Sequence, residues 1–567
     1  LKPQLAQAAL APGAGGCFSL PRPRDPVRGM AGPGDAEVEK YLAFLNNWRE
    51  GKPVRQYDHP IAIIGGGMGG ITMACELQRR GRENYTLFER DSRWGGATWN
   101  DVANRTTKLQ TEKGSYHPLF TDMRKPVDPD LKTWPARDSL LLTFHRVVEE
   151  QGVARHARLE TNVAEVTRKG DPLKGGSYVL KIQDNDGDLT DFPASAVCAC
   201  PGVFYLPRDI KFPGRGDFGG YITHGSYNEL NLSKLRDATI LIVGHGGFTI
   251  ENVRTCVENK AKMVKIICRH RHFSGPKMVS WLVSSQEFPV PGNVLLKAFQ
   301  VMYDLIGFDV WSHPGVQTDK DRSMAFITQE TTFGVTDIYF LAFAYGLVEV
   351  HVDEVEKLSH HCAHTKKGQQ IECQVIMKCL GSDCDPDMDE VYGLTELKGY
   401  WVNGEPLCAL LTMAHGVQAK NYGSFSVGPF FAGACTTVNY FLDYPEELLP
   451  MLPNIPGKKA SAEGPAYYVK GSYMLACGVI ISQNPDLSWQ LQAMDRLKAA
   501  KTLQGHPKEK HLAECKREWE VYIQMFKDNG QIPADAKHVP YPYTSEIMDG
   551  LAADSLKYWA DLSAKRK

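Results

Sequence analysis

The chain has no surplus of either charge. Its 567 residues carry 64 Lys and Arg against 66 Asp and Glu. That balance gives no basis for binding nucleic acid or an anionic membrane surface. Nor is there an unbroken apolar run of the ~18–20 residues that a membrane-spanning helix needs. The best stretch, Tyr473–Ile481, is short and interrupted by Gly478. CxxC is missing as well. The 14 cysteines are scattered, with Cys198/Cys200 and Cys379/Cys384 as the close pairs. This pattern suits neither a zinc ribbon nor a thioredoxin-type redox pair. No secretory signal is evident, so reduced thiols and a cytoplasmic location are expected. Acid is scarce in residues 1–29, where Asp25 stands alone among Ala, Pro, Gly and Arg. An organelle transit peptide would look similar. Ser is scarce there too and no amphipathic repeat is visible. A stretch translated upstream of Met30 is therefore the expectation, and the segment is left out of the fold.

What remains is an ordinary globular composition, 43% hydrophobic and 23% charged, long enough for two or three domains. A helix is expected from about Asp35 to Arg49. Ile61-Ala62-Ile63-Ile64 is a continuous apolar run of the kind buried in parallel sheets. It breaks into a glycine turn and a helix, and Tyr85–Glu89 is the next strand. Pro135 opens a helix with Leu141, Phe144, Val147 and Val148 on one face. Tyr178–Ile182 and Ser195–Cys200 read as strands linked through the turn Asp186-Gly187. A second apolar strand, Ala238–Val243, again enters a glycine turn and a helix, with Val264–Cys268 after it. Residues 274–345 have helical apolar spacing, and Leu347–Val355 and Glu372–Cys379 read as strands. The last ~120 residues are mainly helical. Pro507 starts one helix whose face is Leu512, Cys515, Trp519, Ile523 and Phe526, ending at Gly530.

The first glycine turn is Gly65-x-Gly67-x-x-Gly70, between strand and helix. In a dinucleotide site Gly65 makes the tight turn and Gly67 admits the pyrophosphate to the helix N-terminus. Gly70 then lets helix and strand pack closely. Glu89 ends the next strand. A carboxylate there accepts the ribose hydroxyls of an adenine nucleotide and repels a 2′-phosphate. The small segment Gly95-Gly96-Ala97-Thr98-Trp99 follows. The second turn is Gly244-x-Gly246-Gly247-x-Thr249, with Thr where Gly or Ala is usual. Its following strand runs into Cys268-Arg269-His270-Arg271 with no acid in the place of Glu89. Arginine suits a 2′-phosphate, so this half is expected to prefer NADPH, with Arg269 and Arg271 as its readers. His360, His361, Cys362 and His364 are ligand-like. They read better as a hairpin tip turning at Lys366-Lys367-Gly368 than as a metal site.

With these motifs in place, the chain resembles the flavin-containing monooxygenases over roughly residues 58–440. The matching stretches include both glycine turns, Glu89, Gly95–Trp99, Leu109-Gln110-Thr111 through Pro118, and Trp134-Pro135. They also include Asn162-Val163-x-x-Val166, Cys200-Pro201-Gly202, Pro213-Gly214 and Cys379-Leu380-Gly381. Phe218-x-Gly220-x-x-x-His224 resembles a fingerprint shared with the Baeyer–Villiger monooxygenases, with Asn228 where those enzymes usually have Trp. The resemblance implies an α/β fold with two Rossmann-like dinucleotide-binding domains, for FAD and NADPH, and a mainly helical C-terminal extension. The implied segments are a tail and short helix at 1–57, FAD domain at 58–215, NADPH domain with a helical insertion at 216–350, FAD return segment at 351–445 and helical region at 446–567.

By the same resemblance, Gly65, Gly67, Gly70, Glu89, Arg90, Gly96, Thr98, Trp99, Gln110, Val163 and Gly202 are expected at the flavin nucleotide. Gly244, Gly246, Gly247, Thr249, Arg269, Arg271 and Gly381 are expected at NADPH. Glu112 stands where the family often has Asn near the flavin, and His224 lies on the linker into the NADPH domain. These two are the catalytic candidates, expected to tune the oxygenated flavin; for His224 a hinge role is the alternative. The implied activity is NADPH-driven insertion of one atom of O2, added at flavin C4a, into a small-molecule substrate. No metal, nucleic acid or membrane partner is implied, and homo-oligomers are left open. Baeyer–Villiger oxidation, N-hydroxylation and a non-oxygenating NADPH-binding flavoprotein remain as alternatives. A disulfide reductase is disfavoured by the missing CxxC.

Overall fold

A computed structural model describes residues 54–383 and 499–565, with parts of 391–444. It omits 115, 121, 123–126, 129, 171–173, 201, 203–205, 288–289 and 330–332. The expected helix at 35–49, the expected tail and the 473–481 run lie outside the described residues.

The first unit begins with β1 (Ile61–Ile64), the glycine turn, α1 (Met68–Arg79) and β2 (Tyr85–Phe88). Every residue of β1 except Ile64 is buried, which explains its unbroken apolar run. Helix α2 (Arg137–Glu150) buries Leu140, Phe144, Val147 and Val148. Strand β3 (Ala157–Arg158) then joins the sheet edge. Next come β4 (Asn162–Lys169), β5 (Ser177–Gln183) and β6 (Leu189–Ala194), an antiparallel sheet of their own. The turn at Asp186-Gly187 therefore joins β5 to β6, a strand that the sequence reading passes over because its alternation is broken by polar residues and Pro193. Strand β7 (Ala196–Ala199) pairs in parallel with β1.

The second unit takes β8 (Tyr221–Thr223), β9 (Thr239–Val243), α3 (Gly247–Glu258) and β10 (Met263–Cys268). An insertion carries α4 (Lys277–Ser285), α5 (Gly292–Tyr303) and α6 (Ile338–Ala344). Strand β11 (Val348–Val352) follows, then a three-stranded antiparallel sheet, β12 (Val355–Ser359), β13 (Cys362–Thr365) and β14 (Gln370–Glu372). Strand β15 (Val375–Lys378) closes a five-stranded sheet in the order β11-β10-β9-β15-β8. Only then does the chain return to the first sheet, through β16 (Trp401–Val402) and β17 (Glu405–Leu410), giving the order β16-β17-β7-β1-β2-β3.

The expected boundary at 350/351 is thus too early. Strands 348–352 and 375–378 pair inside the second sheet, since β11 flanks β10 and β15 flanks β9. The antiparallel sheet between them hides the continuation in the sequence. In the C-terminal region, α7 (Lys508–Asp528) and α8 (Ser545–Lys565) follow. They are not a separate layer. Trp519, Ile523, Phe526, Tyr543 and Met548 belong to the same buried cluster as α4, α5 and the second sheet.

Candidate functional site

The two glycine turns are copies in three dimensions. In the first, Gly65 N–H donates to the Phe88 carbonyl at 2.7 Å and Cys200 N–H to the Ile64 carbonyl at 2.7 Å. In the second, Gly244 N–H donates to Ile267 at 2.9 Å and Cys379 N–H to Val243 at 2.9 Å. Gly65 and Gly244 both have left-handed φ, 108° and 115°. A Cβ on either would lie 2.3 Å from the carbonyl oxygen of Cys200 or Cys379. Both turns accordingly demand glycine. The glycines after those cysteines, Gly202 and Gly381, also have positive φ, 73° and 86°, with open space around them.

Helices α1 and α3 start on extended Gly67 and Gly246, without a side-chain cap and without acid in the first turn. Their first N–H groups are therefore left for an anion. Gly95-Gly96 closes over the first turn. Gly95 N–H donates to the Gly66 carbonyl, and a Cβ on Gly96 would lie 2.9 Å from Gly67 Cα. The chain then enters a π-helix, Thr98–Val102, of a kind often found at functional sites. Trp99 is buried and its indole N–H donates to the Tyr116 hydroxyl at 2.8 Å.

Glu89 is buried against the first turn. Its Oε2 accepts from Gly66 N–H at 2.6 Å and its Oε1 from Asp91 N–H at 2.9 Å. Each oxygen retains a lone pair for a ribose hydroxyl. Thr161 N–H donates to the Glu89 carbonyl and leads the chain to buried Val163. Arg90, next to Glu89, is exposed. Strand register pairs Ile64 with Phe88 and Val243 with Ile267. The second-unit counterpart of Glu89 is therefore the thiol Cys268, and that of Arg90 is exposed Arg269. A carboxylate is replaced by a small neutral group, and a cation stands beside it.

Arg271 behaves differently from Arg269. Its guanidinium lies over the Phe308 and Phe343 rings, at 4.7 and 5.3 Å, and contacts the Tyr339 hydroxyl at 3.4 Å. Tyr339 in turn meets Nε2 of His245, the middle residue of the second turn. Burial, reinforced by Arg271, lowers the His245 pKa to about 3, so that imidazole is neutral. Thr249 is buried in α3 where the first unit has Gly70. A Cβ on Gly70 would sit 1.8 Å from the Gly65 oxygen, whereas the second turn accommodates the Thr side chain.

Segment 104–112 stitches the units together. The Asn104 amide donates to the Gly225 carbonyl and to Asn252 on α3, both at 3.1 Å. Lys108 N–H donates to Glu251, and Arg254 reaches the Thr106 carbonyl. Gln110 donates to the Gly247 carbonyl at 3.0 Å, at the start of α3, and accepts from Val335 N–H. A residue expected at the first nucleotide thus also touches the second turn. Glu112 is fully buried against Ser280 and Ser284 of α4, and Thr111 donates to it at 3.3 Å. Burial pushes its pKa up, against the hydrogen bonds from those residues.

His224 is half-buried on the linker. Its Nδ1 meets Glu229 at 2.9 Å and its Nε2 lies 3.5 Å from Asp209. Nearby, Tyr227 stacks on the Arg137 guanidinium at 3.9 Å, and Arg137 holds the Trp99 and Asn100 carbonyls. This clamp between linker and π-helix has no sequence motif behind it. His360 lies against Gly219, His361 faces Phe218, and His364 pairs with Ser359. These three line the hairpin of β12 and β13, and no metal-holding cluster occurs among the described residues.

Fold and site together define a protein with two dinucleotide-binding units facing a shared seam. Residues 63–115 match the family described as an NAD(P)-binding Rossmann-like domain. The chain is similar in sequence to several flavin monooxygenases. It is 24% identical over 233 residues to Flavin-containing monooxygenase FMO GS-OX-like 3 of Arabidopsis thaliana, covering 37% of this chain and 51% of that protein. It is 24% identical over 193 residues to a Baeyer-Villiger monooxygenase of Streptomyces coelicolor, covering 34% of each. The chain spans about half the length of the first-matched curated relatives. Among solved structures, Polycyclic Ketone Monooxygenase from Thermothelomyces thermophila aligns with TM-score 0.49 at 14% identity, over 82% of this chain and 91% of that one. No described helix is long and apolar enough to cross a membrane.

Proposed function

We propose that the protein is an FAD-dependent, NADPH-using monooxygenase that inserts one oxygen atom of O2 into a small molecule. The observation that carries this reading is the pair of matching glycine turns, with Glu89 at the end of the strand after the first and Cys268, followed by Arg269, in its place after the second. Glu89 suits an adenosine with free ribose hydroxyls, and Arg269 suits one bearing a 2′-phosphate. Bound flavin supplies the redox chemistry with NADPH and O2.

The chain's own residues bind, orient and exclude water. The N-termini of α1 and α3 would take the two pyrophosphates, and Gly95-Gly96 would close the first cradle. Gln110 ties segment 104–112 to the second cradle. Glu112, buried and pushed toward its neutral acid, can donate a hydrogen bond into a dry site. His224, held by Glu229 and Asp209, would set the linker that presents the nicotinamide. Relatives named for both flavin-containing and Baeyer–Villiger oxygenation support the oxygenase class without choosing between the two reactions.

Purified protein should be yellow and oxidise NADPH in air. Product analysis with amine, sulfide and ketone substrates should find an oxygenated product. NADPH consumption that yields hydrogen peroxide alone, with every substrate class, would leave a non-oxygenating flavoprotein instead.

A further inference from the structure

The two glycine turns differ in what ties each of them to the chain after its following strand. In the first, Gly66 N–H donates to Glu89 Oε2 at 2.6 Å, so turn and carboxylate form one hydrogen-bonded piece. That closeness leaves little room for a side chain. A Cβ on Gly66 would lie 3.1 Å from Cβ, Cγ and Oε2 of Glu89. In the second unit His245 stands in the place of Gly66, and Cys268 in the place of Glu89. The shorter thiol takes away both the acceptor and its bulk, and an imidazole occupies the turn instead.

That imidazole is 4% exposed. His272 N–H donates to its Nδ1 at 3.3 Å. A ring nitrogen that accepts a backbone N–H carries no proton, so the proton of the neutral ring sits on Nε2. Nε2 meets the Tyr339 hydroxyl of α6 at 3.3 Å, with the two rings edge to face. His245 is thus braced by α6 at one nitrogen and holds the chain after β10 at the other. The stretch it holds, residues 269–273, carries exposed Arg269 at its start. Other bonds fix this stretch to the insertion. His313 Nε2 donates to the Arg271 carbonyl at 2.6 Å, and Gln329 accepts from Phe273 N–H at 2.7 Å. His245 fixes it to the glycine turn.

We propose that His245 is a positioning residue for nucleotide choice: through His272 it holds the loop bearing Arg269 in register with the pyrophosphate turn. The inference rests on the reading that the second unit takes NADPH. Pyrophosphate and 2′-phosphate belong to one ligand with a stiff ribose between them. Both are met at once only if turn and loop keep one spacing before the ligand arrives, and a loop already ordered gives up less entropy on binding. A nucleotide without the 2′-phosphate does not use Arg269 and is indifferent to that spacing. In the first unit the Gly66–Glu89 bond makes the same tie directly; in the second a side chain of the turn makes it.

Titration calorimetry of NADP+ and NAD+ on the intact, flavin-loaded protein reads this choice without turnover. His245→Phe keeps a ring but removes both nitrogens. It should weaken NADP+ roughly three- to tenfold, as loss of one neutral hydrogen bond would, and NAD+ by less than about twofold. His245→Asn offers His272 N–H a new acceptor and should restore most of the NADP+ affinity. In an Arg269→Ala background His245→Phe should add nothing further for NADP+, because it acts through that arginine. Thermal midpoint and flavin content identify a variant that fails to fold. Tyr339→Phe, which leaves the turn untouched and frees the brace, should shift NADP+ in the same direction and carries the test in that case. Equal weakening of both nucleotides, unchanged NADP+ binding in the folded variants, or full additivity with Arg269→Ala would each overturn the proposal while leaving the NADPH assignment in place. An Arg269→Ala variant that keeps the parent's preference for NADP+ would remove that assignment and this inference with it.

Discussion

Gly70 and Thr249 occupy the same place in two copies of one turn, yet they tolerate different chemistry. Adding a methyl at Gly70 drives a Cβ into the Gly65 oxygen, 1.8 Å away, so helix α1 must lift off its strand. Gly70→Ala is expected to cost about 1–3 kcal/mol, as overpacking does, and to lower bound flavin. Thr249→Ala should cost less and leave flavin content unchanged. Absorbance at the flavin band together with a thermal melt measures both. The two arginines should also part company. Arg269→Ala is expected to raise KM for NADPH roughly ten- to a hundredfold with little change for NADH, because a charge-assisted pair with the 2′-phosphate is lost. Arg271 is already engaged with Phe308, Phe343 and Tyr339. Arg271→Ala should therefore show mainly as a stability loss of about 1–2 kcal/mol. A KM shift in Arg271→Ala as large as that in Arg269→Ala would return it to the phosphate site.

At the level of elements, α7 shows how much could be read in advance. Its start at Pro507, its apolar face and its stop at Gly530 all follow from spacing, and the same residues are buried in the structure. Both glycine turns were equally legible, because a strand, a turn and a helix in succession leave local marks. What was not legible depends on contacts distant in sequence. The pairing of 375–378 with 239–243 across an intervening antiparallel sheet, the stacking of Tyr227 on Arg137, and the grip of segment 104–112 on α3 leave no periodic trace. Glu518 belongs with these. It is not among the apolar residues that mark the face of α7, yet it pairs with Lys277, whose side chain is 6% exposed, and with Lys108.

Burial raises the Glu518 pKa, but Lys277 and then Lys108 outweigh it and hold it down to about 2, below the ordinary 4.5. A carboxyl depressed in the folded state adds stability that is present above about pH 4.5 and disappears as pH falls through about 2. The thermal midpoint should drop across that window. Glu518→Gln should flatten the drop and cost about 2–3 kcal/mol at pH 7, since it strands a buried ammonium. An unchanged pH profile in the variant would show that Lys277 finds another counter-charge.

For the molecule as a whole, the C-terminal helices are part of the second core rather than an appendage. Trp519, Phe526, Tyr543 and Met548 are each 1% exposed or less, packed with the insertion helices. Ending the chain at residue 506 would open that apolar face. Such a truncation is expected to aggregate or to lose cooperative melting, although every glycine of both turns is retained. A soluble truncated chain with a wild-type melt would mean that the two helices only cap a core that is already complete.

The line of contacts along 104–112 also limits how the two halves can move. The linker passes Asn104 at Gly225, and a few residues further on Gln110 touches the start of α3. Behind them, α3 is gripped from its far side by Tyr522 on Glu258 and by Gln531 on the Val257 and Ala261 carbonyls. Crossing and clamp both end on this one helix, which they hold like a pin. Any opening between the halves would have to break these contacts or carry α3 along. Whatever tightens the pin would slow the turnover of the whole machine without touching a single reacting atom.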